Sequence, residues 1–362
     1  MPRRASSPGA SPTRWPGEPG GERSTLLTDV DVTGAEAAPG DLVLPFSVAP
    51  LDVRGRVVRL GPAVDAMLAR HAYPPAVSRL LGEAIALTAL LGASLKFDGR
   101  FSLQTSTDGP VDLIVVDFST PDALRAYARF DADRVAAVAE ATSAGSKPDA
   151  GLLIGKGHLA MTVDQGTAAS RYQGIVPLDG DGLEAAAHRY FEQSEQIPTR
   201  VRLAVAEVMS RRPGEAPAHA WRAGGILVQF LPEAPDRLAH RDLDPGDRPE
   251  GDDENEVSDD ASDDDAWVEA RALVETVEDI ELTDPDVTPE RLLYRLFHER
   301  GVRVFDPQPL ADRCRCSRER VFGVLKGFSP EERAEMVVDG AIEVTCEFCS
   351  TRYRFAAEEV ID

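Results

Sequence analysis

From Leu42 to Pro232 the chain consists of short runs in which apolar and polar residues alternate, together with two helix-like apolar patterns. Period-two alternation and a high β-branched content predict strands in LVLPFSVAPLDVRGRVVRL, FSLQTSTDGP, VDLIVVDFS, LLIGKGHLAMTVDQG, RYQGIVPL, VRLAVAEVM and AGGILVQFLP. The run AVSRLLGEAIALTALLGASLKF predicts a buried helix, and a second helix is predicted from about Leu183 to Ser194. Strands interleaved with two helices indicate an α+β fold with a mixed α/β core domain over residues 39–232.

A helical pattern follows this core. The segment WVEARALVETVEDIEL predicts an amphipathic acidic helix, and Thr288-Pro289-Glu290 provides the N-cap and first turn of another. The second of these helices has one apolar face, formed by Leu292, Leu293, Leu296 and Phe297. We expect this face to pack on the linker before it or on the domain after it.

The last sixty or so residues have the signals of a small domain. Ser317 can cap a helix that runs to about Lys326, and Ser329-Pro330-Glu331-Glu332 has the form of a capping box. Gly340 suits the position just after the C-cap of that second helix. The segment AIEVTCEFCSTRYRF predicts two strands joined by a metal-binding turn. We therefore predict a C-terminal domain over residues 289–362.

Two segments have compositions that predict disorder. Residues 1–38 are rich in Pro, Gly, Ser, Ala and Glu, so they bury too little apolar surface to offset the entropy lost on ordering. Residues 241–265 carry 13 acids against 2 arginines, and these charges repel one another. We expect a disordered extension over 1–38, and a linker over 233–288 that contains the acidic disordered insert 241–265.

The charge and apolar content of the whole chain exclude some functions. A formal net charge of −23 argues against general nucleic-acid binding, which needs clustered Lys and Arg. The N-terminal MPRRASSPGASPTRW has no apolar stretch behind its arginines and does not resemble a secretory signal. The longest apolar stretch, Leu80 to Leu95, contains Glu83 and is shorter than the ~20 residues that span a bilayer. We expect a cytoplasmic protein that binds neither nucleic acid nor membrane.

The four cysteines of the chain all lie between Cys314 and Cys349. Cys314-Arg-Cys316 is followed by 29 residues and then by Cys346-Glu-Phe-Cys349. Clustered thiols in a chain that is expected in a reducing compartment favour metal or redox chemistry. Four soft thiolates with this spacing predict one tetrahedral zinc ion, with iron as the lesser alternative.

The spacing alone leaves two purposes open for this zinc. It could be a structural clip, since four thiolates leave no open coordination position. It could also be a switch, because the sulfurs of each local pair would lie about 3.8 Å apart on zinc and ~2.05 Å apart in a disulfide. An oxidant could then convert the site to two disulfides and a free ion. Six nearby arginines would favour thiolate, unless they serve only solubility: Arg313, Arg315, Arg318, Arg320, Arg352 and Arg354.

Together these features resemble a known family, the bacterial redox-regulated heat-shock chaperone of about thirty-three kilodaltons. The resemblance covers residues from about 40 to 232 and from about 290 to 362. Its motifs are DVRG, YP, LLGEA, LKFDGR, GKG, YQGIVPL, YFEQSEQIPT and AGGILVQFLP, with CRCSRERV and TCEFCSTRYRF around the cysteines. The N-terminal extension and the acidic insert depart from the family pattern.

The resemblance implies a core domain that can dimerise, a metastable linker and a C-terminal zinc domain. It implies that Cys314, Cys316, Cys346 and Cys349 hold one zinc per chain in the reduced, inactive form. On oxidative stress Cys314 would pair with Cys316 and Cys346 with Cys349, and zinc would leave. The unfolded linker of an active homodimer would then bind unfolding or oxidatively damaged proteins and prevent their aggregation without ATP.

Two other functions remain as alternatives. Cys346-Glu-Phe-Cys349 could serve a thiol–disulfide enzyme, although it lacks the strand-to-helix context that activates such a motif. The four cysteines could instead form a zinc ribbon that binds protein or nucleic acid. The GKG at Gly155–Gly157 is too short for a P-loop, and His188, Ser194 and Glu195 are better explained as helix-surface residues than as a catalytic trio. We therefore expect a protein that is not an enzyme.

Overall fold

The computed structural model describes residues 24–28, 40–95, 98–142, 149–166, 171–210, 218–231 and 264–361. Its strands are β1 Ser24–Leu26, β2 Leu42–Val48, β3 Val53–Leu60, β4 Arg100–Thr107, β5 Leu113–Ser119, β6 Ala123–Arg129, β7 Lys156–Asp164, β8 Arg171–Asp179, β9 Thr199–Ser210, β10 Ala218–Phe230, β11 Arg303–Phe305, β12 Gln308–Pro309, β13 Ala311–Asp312, β14 Ala341–Thr345 and β15 Arg352–Ala356. Its helices are α1 Pro62–Ala69, α2 Pro75–Gly92, α3 Ala132–Ala141, α4 Ala150–Ile154, α5 Gly182–Tyr190, α6 Asp265–Glu275, α7 Asp279–Thr283, α8 Pro289–Phe297, α9 Arg318–Leu325, α10 Pro330–Glu335 and α11 Ala357–Ile361. The predicted α+β class is confirmed.

The strands form three sheets. The first has the order β1-β11-β2-β3-β10-β9, with β12 also paired to β2, and all of its pairs are antiparallel. The second has the order β13-β6-β5-β4-β7-β8, and only its β13–β6 pair is parallel. The third is the β14–β15 hairpin. Both larger sheets therefore receive strands from the segment after residue 300, which ties that segment to the core domain.

Helix α2 packs against strands of both larger sheets. It is the one described helix that is long and apolar enough to cross a membrane, and 83% of it is buried inside the fold. Its neighbours include Leu203 and Val205 on one sheet and Phe118 on the other, all in one large apolar cluster. Its apolar composition is therefore accounted for by its place in the core.

The segment that follows the acidic insert packs on the first sheet. Its side chains and those of the sheet form a second apolar cluster, which includes Leu44, Phe46, Val57, Ile226, Val228, Phe230, Trp267, Val274, Leu282, Leu292, Leu293, Leu296 and Phe297. The apolar face of α8 thus packs on the core domain as well as on α6, whereas the sequence suggested only the linker or the cysteine domain. The reason is that the sheet offers a broad apolar face and the cysteine domain a small one.

Gly224 on β10 permits the closest approach in this cluster. A Cβ atom at Gly224 would overlap the carbonyl oxygen of Leu282 and lie 2.9 Å from its carbonyl carbon. Arg59 on β3 holds the same stretch of backbone, because it donates to the carbonyl oxygen of Glu281 at 2.8 Å and also to that of Asp284. Helix α7 is therefore fixed to the first sheet through main-chain atoms. A single methyl group added at Gly224 would disturb this packing.

The N-terminal extension is partly ordered, contrary to the disorder expected over residues 1–38. Ser24–Leu26 pairs antiparallel with Arg303–Phe305, and the Leu27 N–H donates to the carbonyl oxygen of Val302 at 3.0 Å. Leu27 is buried in the second cluster. A short strand with one buried leucine is enough to dock because β11 offers it an open edge. Residues 1–23 and 29–39 lie outside the described residues, as do 241–263 of the acidic insert.

Several predicted elements have different ends in the structure. The helix expected to reach Ser194 is α5, which stops at Tyr190 and continues as a π-helical turn, and the long acidic helix divides into α6 and α7. Helix α10 ends at Glu335, so Gly340 does not follow its C-cap. Gly340 instead has φ 76° in the turn before β14, a conformation that favours glycine. Strand β6 and helix α3 were not predicted.

We expect Gly224→Ala to loosen α7 and α8 from the first sheet, because overpacking at a close contact costs about 1–3 kcal/mol. Amide hydrogen exchange over residues 279–297 should be faster in the reduced protein, while exchange in β4 to β7 stays unchanged. Gly323→Ala is the control, since nothing lies within 4 Å of a Cβ there. Unchanged protection of α7 in Gly224→Ala would contradict this role.

His188 makes the core domain sensitive to acid. Its Nε2 accepts a hydrogen bond of 2.9 Å from the Val201 N–H, and burial, followed by the charge of Arg200, lowers its pKa from 6.5 to about 4. Below about pH 6.5 the unfolded chain takes up a proton that the folded protein refuses, so stability falls as the pH drops towards 4. We expect the free energy of unfolding to decrease by about 1–2 kcal/mol between pH 7 and 5.

Urea denaturation at the two pH values measures this decrease. His188→Gln keeps an acceptor for the Val201 N–H but does not titrate, so its pH dependence should be flatter. A variant with the same dependence as the natural sequence would show that another group is responsible.

Candidate metal centre

Each pair of cysteines lies in a short segment next to a helix or between two strands. Cys314 and Cys316 lie in the extended segment between β13 and α9, and the Ser317 side chain caps α9 by accepting from the Arg320 N–H at 3.3 Å. Cys346 and Cys349 lie in the turn between β14 and β15. There the Cys346 N–H donates to the carbonyl oxygen of Thr351 at 2.9 Å. The predicted pair of strands joined by a cysteine turn is present.

The fold brings the four sulfurs together. All four Sγ atoms lie within 4.8 Å of one another. Cys314 Sγ is 3.8 Å from Cys346 Sγ, and Cys316 Sγ is 3.2 Å from Cys349 Sγ. Sulfurs that share one tetrahedral ion with bonds of ~2.3 Å lie about 3.8 Å apart. The four cysteines therefore fit a single metal ion, and thiolates favour a soft or borderline one over magnesium or calcium.

Burial and hydrogen bonds give the thiols of Cys316, Cys346 and Cys349 different pKa values. Burial is the main reason that the pKa of Cys316 rises to about 12, although the Tyr353 hydroxyl donates to its sulfur at 3.1 Å. Burial also opposes ionisation of Cys349, but the hydroxyl and backbone of Thr351, together with the neighbouring thiols, outweigh it and lower the pKa to about 7. Without a metal, Cys349 is thus the thiol that ionises more readily than Cys316 or Cys346.

The domain around the centre has little apolar core of its own. Its apolar core cluster consists of four buried side chains, Leu325, Ile342, Phe355 and Val360. The predicted caps are confirmed, because Ser329 and Glu332 form a capping box at α10. Arg318 stacks its guanidinium 4.3 Å from the centre of the Phe355 ring. Four buried apolar residues are few for a stable fold, so cross-linking by a metal would contribute much of the stability.

The arginines near the cysteines pair largely with carboxylates. Arg313 binds Asp122, Arg318 binds Glu359, Arg354 lies 3.8 Å from Glu343, and Arg315 lies 4.0 Å from Asp117. Arg320 instead donates to the carbonyl oxygen of Arg315. The expectation that six arginines offset the charge of the thiolates is therefore only partly met, since the sequence did not show which carboxylates lie nearby.

The structure gives no support to the other candidate sites. Cys346 and Cys349 lie in a turn between two strands. In a thiol–disulfide enzyme the reactive cysteine lies at a helix N-terminus, which lowers the pKa of its thiol. His188 bonds to the backbone of Val201, while Glu195 accepts a hydrogen bond of 2.9 Å from Tyr190. His188 and Glu195 thus have structural partners.

Comparison with known proteins identifies relatives over most of the chain. A family model described as Hsp33 protein matches residues 41–356. The 33 kDa chaperonin of Caulobacter vibrioides is 47% identical over 315 residues, which are 87% of this chain and 94% of the relative. The 33 kDa chaperonin of Pseudomonas putida is 38% identical over 323 residues, which are 88% and 92% of the two chains. The crystal structure of the 33 kDa chaperonin from Thermotoga maritima covers 88% of this chain and 96% of its own, with a TM-score of 0.65 and 22% identity.

We expect metal removal to unfold the cysteine domain while the second sheet stays folded. Cys349→Ser, or a strong chelator under reducing conditions, should abolish metal binding and the amide protection of residues 341–356, because about four buried apolar side chains cannot hold this domain alone. Protection in β4 to β8 should persist. Metal content and hydrogen exchange measure the two effects, with Glu347→Gln in the same turn as the control. Full protection of residues 341–356 without metal would contradict the expectation.

Proposed function

The chain belongs to the Hsp33 protein family, and we propose that it is a redox-regulated chaperone that holds unfolding proteins without ATP. One observation carries this proposal: residues 264–304 cover the apolar face of the first sheet, and the same segment leads directly into Cys314. The state of the cysteines can therefore decide whether that face and the covering segment are available. The family membership supports chaperone activity, and the geometry supports the manner of its control.

In the reduced protein we propose that Cys314, Cys316, Cys346 and Cys349 hold one zinc ion per chain. Bound zinc supplies a cross-link worth about 10–16 kcal/mol in small finger peptides. The four thiolates position the β14–β15 hairpin against α9, and β13 then stays paired to β6. Residues 264–304 remain on the first sheet, held by Arg59 and by the close contact at Gly224. This is the inactive state.

Oxidation would remove the ligands. For each pair, two thiolates, one hydrogen peroxide and two protons give one disulfide and two waters. Following the family resemblance, Cys314 pairs with Cys316 and Cys346 with Cys349. All four sulfurs lie within 4.8 Å of one another, so either pair closes to ~2.05 Å by a short movement. A disulfide sulfur is a poor zinc ligand, and the domain loses its cross-link.

Loss of the cross-link would free the covering segment. The apolar side chains that α6 to α8 contribute to the second cluster would separate from those of the sheet, with Phe297 and Phe46, now 5.8 Å apart between ring centres, among them. Exposed apolar surface of this kind binds unfolding or oxidatively damaged proteins. We propose a core domain 39–232, a linker 233–288 and a zinc domain 289–362, with the covering segment 264–304 spanning the boundary between the last two. We propose a homodimer as the active form and the cytoplasm as its location.

We expect the zinc-loaded reduced protein to be inactive, and the peroxide-treated, metal-free protein to suppress aggregation of a heat-denatured enzyme. Light scattering measures aggregation, and a metal-sensitive dye measures zinc in the same samples. Reduction in the presence of zinc should restore the inactive form, which is the control for irreversible damage. Equal activity of both forms would refute the switch, and turnover of a disulfide substrate would favour the thiol–disulfide enzyme instead.

A further inference from the structure

The second sheet presents a polar face to the cysteine domain. Along β6, Leu124, Ala126 and Ala128 point into the core, while Arg125 and Tyr127 lie on the opposite face. The Arg125 side chain is only 19% exposed although this face lies outside the core. Something covers it, and the covering group is the turn that carries Cys346 and Cys349.

The guanidinium of Arg125 is fixed by a buried carboxylate. Asp117 on β5, whose side chain is 5% exposed, accepts from Arg125 Nε at 2.8 Å and from Nη2 at 2.5 Å. The hydroxyl of Ser102 donates to the other carboxylate oxygen at 2.5 Å. A buried ion pair of this kind has little freedom of orientation. Arg125 is therefore a rigid contact surface rather than a mobile surface side chain.

Phe348 lies against this surface. Its ring centre is 4.0 Å from the guanidinium carbon of Arg125, the stacked geometry of a cation–π contact. Tyr127 lies 6.4 Å away between ring centres, and the carbonyl oxygen of Phe348 is 3.4 Å from His71 Nε2. Phe348 is the residue directly before Cys349 and two after Cys346. A side chain and a backbone atom of the cysteine turn are thus both held by the core domain.

The chain that enters the other cysteine pair is attached to the same strand. The N–H of Ala311 donates to the carbonyl oxygen of Asp122, and that of Arg313 to Leu124, both at the edge of β6. Arg70 binds Asp312 from α1 and the turn after it. Strand β6 therefore contacts the approach to Cys314 at its edge and the Cys346–Cys349 turn on its face.

We propose that Arg125 and Phe348 form a clamp between the two domains that restrains the Cys346–Cys349 turn and so sets how readily it is oxidised. This inference rests on the proposed function and names the positioning residue that regulates it. Closing a disulfide in this turn requires its sulfurs to approach to ~2.05 Å, which moves the two residues between them, Glu347 and Phe348. While Phe348 is held on Arg125, that movement is opposed. The core domain thus slows zinc release directly.

Phe348→Leu tests the clamp, since it removes the aromatic ring but keeps an apolar side chain and leaves the Asp117–Arg125 pair intact. A cation–π contact of this kind should change the rate of peroxide-driven zinc release by about threefold or more. A metal-sensitive dye follows release from the reduced protein, loaded with one zinc per chain. Transfer of zinc to excess chelator without oxidant should accelerate in the same direction, which is a readout independent of redox chemistry and of chaperone activity.

A second variant removes the other half of the clamp. Asp117→Asn combined with Arg125→Met avoids leaving the Asp117 carboxylate unpaired. Because Arg125 also interacts with Cys314, this variant should release zinc faster than Phe348→Leu, and adding Phe348→Leu to it should give no further acceleration. Arg189→Met is the control, because Arg189 on α5 pairs with Asp181 beside β8, the strand at the opposite edge of the second sheet from β6 and β13. It should release zinc at the natural rate.

The outcomes separate this inference from the proposed function. If peroxide fails to release zinc from the natural protein, the proposed function fails. If the natural protein releases zinc but Phe348→Leu does so at the same rate, or if the two halves of the clamp act additively, the clamp is refuted. Faster hydrogen exchange over residues 345–352 in Phe348→Leu, with β4 and β7 unchanged, would confirm that the turn has come free of the sheet.

Discussion

Burial of one apolar face of the first sheet beneath residues 264–304 is the constraint on which the rest of the structure depends. The covering helices are short, and helices of this length are unstable by themselves in water. They persist because the sheet provides their apolar partners, because Arg59 donates to their carbonyl oxygens, and because Gly224 leaves room for their main chain. The cover therefore has stability only while it is docked. A segment of this kind responds to any loss of restraint at its ends.

The two ends of the cover are restrained by different means. The N-terminal end of the covering segment follows the acidic insert. The last residues of the insert stabilise it, because the Asp264 side chain caps α6 by accepting from the Ala266 N–H at 2.9 Å. Acidic groups near a helix N-terminus are favourable. Its end runs through β11 to β13 into Cys314, so the cysteine domain is its anchor. Only the second restraint contains groups that an oxidant can change.

The features that depend on neighbouring residues are predictable from the sequence. The capping box at Ser329, the N-cap at Thr288 and the cysteine turn all follow from signals within a few positions. The features that depend on partners far away in the chain are not. AGGILVQFLP predicted a strand, but Gly224 must lack a side chain because of Leu282, which lies 58 residues later in the chain. Likewise, Phe348 contacts Arg125, which lies on a strand that was not predicted. Strand β6, ALRAYAR, does alternate, but its small alanines give a weak apolar signal.

The ordered part of the N-terminal extension also stabilises the covering segment on the first sheet. Ser24–Leu26 adds a strand to β11, and the Ser24 hydroxyl accepts from Arg303 at 3.1 Å. Strand β11 belongs to the segment between cover and anchor, so this pairing stabilises the docked arrangement without touching the cysteines. It also closes the outer edge of β11, which would otherwise expose unpaired backbone groups. Because the extension lies before the region that matches the family model, this chain has a restraint on its cover additional to those in the matched region. In the proposed switch, oxidation of the four thiols therefore has to overcome this strand pairing as well as the contacts that hold the covering segment on the first sheet.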